Sequence, residues 1–174
     1  HFEAIAEAVQ LPILLYNVPG RTGVDLANET VARLAAHPNI VGIKDATGDL
    51  ARVSWMRANI DGQFDLISGD DPSYLGYHAH GGVGVISVTS NVAPEGMVAL
   101  HNAAQGGDYA AAREWQDRLI GLHKGLFLDN SPSPTKYALS RLQFCTEEVR
   151  LPLPPTADAV KPAIDRAMAD AGLG

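Results

Sequence analysis

Lys44 stands directly behind the apolar run Ile40–Ile43, in the stretch VGIKDATG (residues 41–48). A strand buried on both faces has no ordinary place for an ammonium group. Either the stem is enclosed and the tip reaches a pocket, or the lysine has left the strand and pairs with Asp45 or Asp49 in solvent. Enclosure disfavours the charged form and lowers a lysine's pKa. The neutral amine is the form that attacks a carbonyl to make a Schiff base. Tyr16 closes another apolar run, Ile13–Leu15, so its hydroxyl can face the same pocket as Lys44. A phenol there would pass protons while a carbinolamine forms and dehydrates; the alternative is a tyrosine at the edge of a core. Arg21 follows on a loop made rigid by the Pro19-Gly20 turn and by Gly23. A guanidinium on such a loop grips a carboxylate through two hydrogen bonds, or is simply solvated.

Three further stretches could line the same pocket. Ser68-Gly69-Asp70-Asp71 reads as a pocket loop or as a helix N-cap, and capping is favoured because both carboxylates precede a helix. Gly69 would still allow a ligand to approach closely. Gly81, Gly82 and Gly84 come before their strand rather than after it, so they do not form a phosphate loop. At the far end of that strand Ile86 and Ser87 offer backbone groups, and the polar run continues to Asn91, a further candidate ligand contact. No metal is expected. His78 and His80 are two residues apart, which on a helix turns them away from each other, and no His-x-x-x-His or acidic cluster supplies three converging ligands.

The elements that must position these groups follow from periodicity. Apolar, β-branched runs at Ile13–Val18, Ile40–Ile43, Phe64–Ser68 and Val83–Val88 read as strands. Helical patterns follow each of them, at Leu26–Ala36, Asp49–Ile60, Pro72–His80 and Pro94–Ala104. Near-continuous apolar strands alternating with helices predict a parallel sheet covered by helices, an α/β fold. A doubly wound sheet would favour a Gly-x-Gly-x-x-Gly turn after the first strand, and NVPGRTG (residues 17–23) is not one. Polar residues past several strand ends at once suit a (β/α)8 barrel, of which four βα units are only half. From about residue 106 the pattern turns wholly helical. The expected organisation is therefore residues 1–106 as the C-terminal half of a TIM barrel and residues 107–174 as a helical appendage. The chain also opens inside an amphipathic helix, Phe2, Ile5, Ala6 and Val9, with no cap before it. This suggests the C-terminal part of something longer.

Composition narrows the partners. A net charge of −7 argues against nucleic acid, which wants clustered Lys and Arg. No apolar run approaches the ~20 residues that span a bilayer. The single Cys145 rules out an internal disulfide, reads as a packed thiol and fits a reducing cytoplasm.

Taken in order and at these separations, YNVPGRTG, GIKDATG, SGDD and GVISVTSNV resemble the dihydrodipicolinate synthase family, and LFLDNSPSPTKYAL and VRLPLPP extend the resemblance toward the C-terminus. The lysine strand alone marks the wider superfamily of pyruvate-dependent Schiff-base aldolases. The resemblance implies an imine between pyruvate and Lys44, with Tyr16 in the proton relay and no other cofactor. It implies that Arg21 holds the carboxylate of aspartate 4-semialdehyde and that Ile86 contacts pyruvate through its backbone. The product would be 4-hydroxy-tetrahydrodipicolinate, on the diaminopimelate route to lysine. The family is expected to be a cytoplasmic homotetramer, a dimer of dimers. Aldolases of sialic acid or keto-deoxy sugar acids share the lysine and tyrosine but typically lack Arg-Thr-Gly, so Arg21-Thr22-Gly23 favours the synthase. A non-catalytic half-barrel that binds a partner or a second copy is the reading from another class.

Overall fold

The computed structural model describes residues 1–174 and divides into two compact units, His1–Ile86 and Ser87–Gly174. In the first unit helix α1 (Phe2–Ala8) leads into β1 (Ile13–Asn17), the single turn α2 (Pro19–Thr22) and α3 (Asn28–Ala35). Then come β2 (Ile40–Asp45), α4 (Leu50–Asn59), β3 (Asp65–Ser68), α5 (Tyr74–Ala79) and β4 (Gly84–Val85). The four strands pair in parallel in sequence order, β1-β2-β3-β4. This is the arrangement in which each helix returns the chain to the same edge of the sheet.

One face of the sheet is closed by helices. Leu15, Ile43 and Leu66 from the strands meet Val31 and Leu34 of α3 and Val53 and Met56 of α4, all buried in one apolar core with Ala6 and Tyr77. The spacing of Val53 and Met56 puts them on one side of α4. That helix starts where the sequence has Asp49, whose Oδ1 accepts from Ala51 N at 3.0 Å.

Two elements differ from expectation. The stretch expected as a plain turn at Pro19-Gly20 is one full helical turn, closed by Gly23 at φ 70°, whose N–H donates to Pro19 O. The fourth strand is shorter than Val83–Val88, with only Gly84 and Val85 in the ladder before Ile86 N makes a last bond to Ser68 O. It stops because Ser87 and Ser90 bond to each other's backbone, Ser90 N to Ser87 Oγ at 2.8 Å and Ser90 Oγ to Ser87 O at 3.1 Å. Such local serine bonds offer the backbone an alternative to the ladder.

The second unit contains no strand. A 3-10 turn, Thr89–Asn91, precedes α6 (Pro94–Gln105), α7 (Tyr109–Gly125), α8 (Ser133–Arg141) and α9 (Lys161–Asp170). Helix α7 packs on α6 and on α9, burying Leu100, Leu119, Leu122 and Ile164. Asp108 caps α7 by accepting from Ala111 N at 3.0 Å.

Candidate active site

Strand alternation decides which residues can do chemistry. In β1, Leu15 and Asn17 point into the helix-covered side and are buried, whereas Leu14 and Tyr16 are 42% and 49% exposed. In β2, Ile43 and Asp45 are buried and Lys44 between them is partly exposed. Tyr16 and Lys44 are direct partners in the β1–β2 register. Their side chains therefore stand side by side on the face without helices, and Lys44 Nζ lies 4.1 Å from the centroid of the Tyr16 ring. An ammonium over a ring face is held there by the ring quadrupole.

The ion-paired alternative for Lys44 does not hold. Asp45 is taken by Arg52, with Arg52 Nε 3.0 Å from Asp45 Oδ2, and Asp49 is spent on capping α4. The stem of Lys44 runs close under the backbone at Gly69. A Cβ on Gly69 would lie 2.9 Å from Lys44 Cε, 3.2 Å from Lys44 Cγ and 2.9 Å from Ala46 Cβ. Cβ contacts under 3.0 Å are essentially never seen, so a side chain at this position would force Lys44 or Ala46 to shift.

The remaining candidates fall into separate settings. Gly69 N donates to Asp45 O at 2.7 Å and Ile86 N to Ser68 O at 2.9 Å. Both amides are used by the sheet, and only the carbonyls of Gly69 and Ile86 are left for a ligand. Asp70 folds the turn ahead of α5 rather than capping the helix: its Oδ2 accepts from Ser73 N at 3.1 Å and from Ser73 Oγ at 2.5 Å, and the N-cap Ser73 makes no side-chain cap bond. Arg21 sits exposed on α2, past the same end of β1 as Tyr16, and enters no ion pair. Asn91 belongs to the second unit, where its side-chain amide donates to Val88 O at 2.9 Å. There it lines a cavity of about 630 Å³ together with Trp115 and Arg118. Tyr16, Lys44, Gly69 and Ile86 are thus gathered at adjacent strand ends, and Asn91 has a setting of its own.

A cluster missed from the sequence lies behind this pair, on the helix-covered side. Arg52 of α4 is 8% exposed and bonds three ways: Nε to Asp45 Oδ2, Nη1 to Asp25 Oδ2 at 3.1 Å, and Nη2 to Leu26 O at 2.7 Å. Asn17 Nδ2 donates to Asp25 Oδ1 at 2.8 Å and to Asp45 Oδ1 at 3.3 Å, while its Oδ1 accepts from Leu26 N at 3.0 Å. Buried charges demand such pairing. The nearby Tyr77 hydroxyl is pushed well above the usual tyrosine range, first by burial and then by the Asp45 carboxylate, with Arg52 opposing. A signal was present: Asn17 and Asp45 each follow an apolar run and, by period 2, face the side opposite Tyr16 and Lys44. Buried polar groups there require a partner.

The side chains gather no group of three His, Cys, Asp or Glu able to hold a metal ion. Comparison with known proteins agrees with the motifs. Residues 1–171 match the dihydrodipicolinate synthetase family. The chain is 57% identical over 173 residues to 4-hydroxy-tetrahydrodipicolinate synthase of Phenylobacterium zucineum, covering 99% of this chain and 59% of that protein. It is 59% identical over 175 residues to the enzyme of the same name from Hyphomonas neptunium, covering 99% and 60%. Among solved structures, the chloride-inhibited dihydrodipicolinate synthase from Acinetobacter baumannii complexed with pyruvate superposes with a TM-score of 0.96 at 44% identity, over 100% of this chain and 60% of that one. The chain therefore spans about three fifths of the length of the relatives it matches.

Proposed function

The chain belongs to the dihydrodipicolinate synthetase family, and from that premise we propose that the whole protein is a Schiff-base-forming lyase that condenses pyruvate with L-aspartate 4-semialdehyde. Lys44 Nζ, as the free amine, attacks C2 of pyruvate, and the carbinolamine loses water to give an imine. Loss of a methyl proton makes the enamine, whose terminal carbon bonds to the aldehyde carbon while the aldehyde oxygen takes up a proton as a hydroxyl. The semialdehyde's own amino group then adds to the imine carbon and expels Lys44, closing the ring of 4-hydroxy-tetrahydrodipicolinate on the diaminopimelate route to lysine. The imine itself is the electron sink, so the chemistry needs no further cofactor.

The phenol of Tyr16, whose ring lies beside the reacting nitrogen, relays protons as the carbinolamine forms and dehydrates. Arg21 binds the carboxylate of the semialdehyde bidentately. Ile86 and Gly69 contact pyruvate through backbone carbonyls. Residues 1–106 form the second half of a (β/α)8 barrel, residues 107–174 its helical appendage, and the assembled enzyme is a cytoplasmic homotetramer, a dimer of dimers. The present 174 residues alone are inactive in this reading. What supports it most is one observation: Lys44 Nζ held 4.1 Å from the Tyr16 ring at in-register strand ends, without a carboxylate partner.

Borohydride reduction in the presence of pyruvate tests this in the whole protein. A reduced adduct mapped by peptide mass to Lys44 is the expected result; an adduct on another lysine, or none, overturns the assignment. Arg21→Ala should raise KM for the semialdehyde far more than for pyruvate. Equal changes in both would remove Arg21 from its role and reopen the sugar-acid aldolases.

A further inference from the structure

Tyr16 and Lys44 are each the next-to-last residue of their strand. The last residues, Asn17 and Asp45, are themselves register partners. Both are buried, at 2% and 1% exposure, and neither faces the side on which Tyr16 and Lys44 stand. Backbone bonds tie these ends on one side only, Ala46 N to Asn17 O at 2.9 Å and Gly69 N to Asp45 O at 2.7 Å, and beyond them the chain turns away. What meets their buried side chains is one side chain from another element. Arg52, in the first turn of α4, sends Nε to Asp45 on β2, Nη1 to Asp25 and Nη2 to Leu26 O in the connection between α2 and α3. Asn17 closes the circuit by donating to both Asp25 and Asp45 and accepting from Leu26 N. Asp45 Oδ1 also receives Thr47 N at 3.1 Å, which fixes the turn after β2.

We infer that Arg52 is a positioning residue, a cross-brace that clamps Asn17 and Asp45 from behind and thereby holds Tyr16 and Lys44 at their working separation. The guanidinium suits this task because it is planar, permanently charged and donates in several fixed directions at once. An ammonium at the same place is a point charge on a flexible stem and cannot reach three acceptors in two separate segments. The inference rests on the reading that Lys44 and Tyr16 carry the chemistry. Within that reading, displacement of a reacting pair by about 1 Å from a remote change costs up to about 100-fold in rate.

The experiment reads the pair directly, apart from turnover. With lysine labelled at 13Cε, the Lys44 methylene next to Nζ, which lies 4.1 Å from the Tyr16 ring centroid, should resonate upfield; Lys44→Arg in the whole protein assigns the signal. Arg52→Lys, checked for folding by circular dichroism and Tm, should lose most of that ring-current shift. Its rate of pyruvate imine trapping should fall by up to about 100-fold with KM for pyruvate little changed. Asp25→Asn is the second variant, because the Asp25 side chain is 51% exposed and its loss leaves the core intact; it should lose part of the shift. If both variants keep the full upfield shift and the native trapping rate, the brace is refuted. If wild-type protein forms no adduct at Lys44, the functional reading fails instead, and the ring-current comparison still decides whether Arg52 holds the pair.

Discussion

A single methyl group at Gly69 is the smallest change that tests the place of Lys44. Gly69 does not have a positive φ, so alanine is acceptable to the backbone, and the conflict is purely with Lys44 and Ala46. Gly69→Ala should therefore slow imine formation by about 10- to 100-fold while the protein stays folded. Adding Ala46→Gly removes the contact with Ala46 but not the one with Lys44. The double variant should recover thermal stability without recovering the rate of borohydride trapping. Recovery of both would mean that the lysine was never crowded. Tyr77 gives a second residue-scale test. Its hydroxyl is buried without a hydrogen-bond partner, and its pKa is raised, mainly by burial. In the unfolded chain it titrates near 10. Above that pH the unfolded state releases a proton that the folded state keeps, so the unfolding free energy falls as pH rises. The stability is complete below pH ~10 and is lost above it, by up to about 1.4 kcal/mol per pH unit. Tyr77→Phe should remove this slope in urea unfolding between pH 9 and 11 (a window set by the ordinary tyrosine pKa of about 10). At neutral pH it should cost little, because no bond is broken.

Helix α4 braces the site from the helix-covered side, since it carries Arg52, and it is started by Asp49. Asp49→Ala should destabilise the protein by about 1 kcal/mol through loss of the cap, read as a shift in the urea midpoint at unchanged m-value. Much at this scale is legible before any coordinates. The apolar runs ending in Tyr16 and Lys44 mark β1 and β2, and period 2 sets both residues on the same kind of face. The two residues' proximity follows only once β1 and β2 are known to be neighbours in register, which pattern alone does not fix. Arg52 is hidden for a different reason. The apolar stripe of α4 reads Leu50, Val53, Met56, and an arginine beside it looks like a solvated flank; its burial comes from Asp25 and Asp45, 27 and 7 residues away. The short β4 is hidden because Val83–Val88 is uniformly apolar or β-branched apart from Gly84 and Ser87, and the serine bonds that end it depend on Ser90 folding back. Asn91 illustrates the reverse case, a residue assigned from a motif whose side chain is occupied by Val88 O.

At the scale of the whole chain the question is what the open face of the sheet does. Leu14, Tyr16 and Ile86 are 42%, 49% and 47% exposed there, and β1 pairs only with β2, leaving its other edge unsatisfied. Full burial of a large apolar side chain is worth about 1.5–3 kcal/mol, and a free strand edge is a template for another chain. Net charge of −7 opposes association, but between exposed groups that repulsion is screened within about 8 Å at physiological salt, whereas apolar burial and strand pairing act at contact. The attraction therefore wins as salt rises. The 174-residue chain by itself should self-associate, more strongly at about 0.5 M than at about 0.01 M ionic strength, where the screening length falls from about 30 Å to well below 10 Å. It should show no synthase turnover. Light scattering coupled to size exclusion across that salt range checks the first part and a semialdehyde-dependent assay the second. The whole protein, with the two fifths of the relatives' length that this chain does not span, should show neither the salt-driven association nor the loss of turnover. A monodisperse, active 174-residue monomer would mean that the exposed face of Leu14, Tyr16 and Ile86 is complete as it stands.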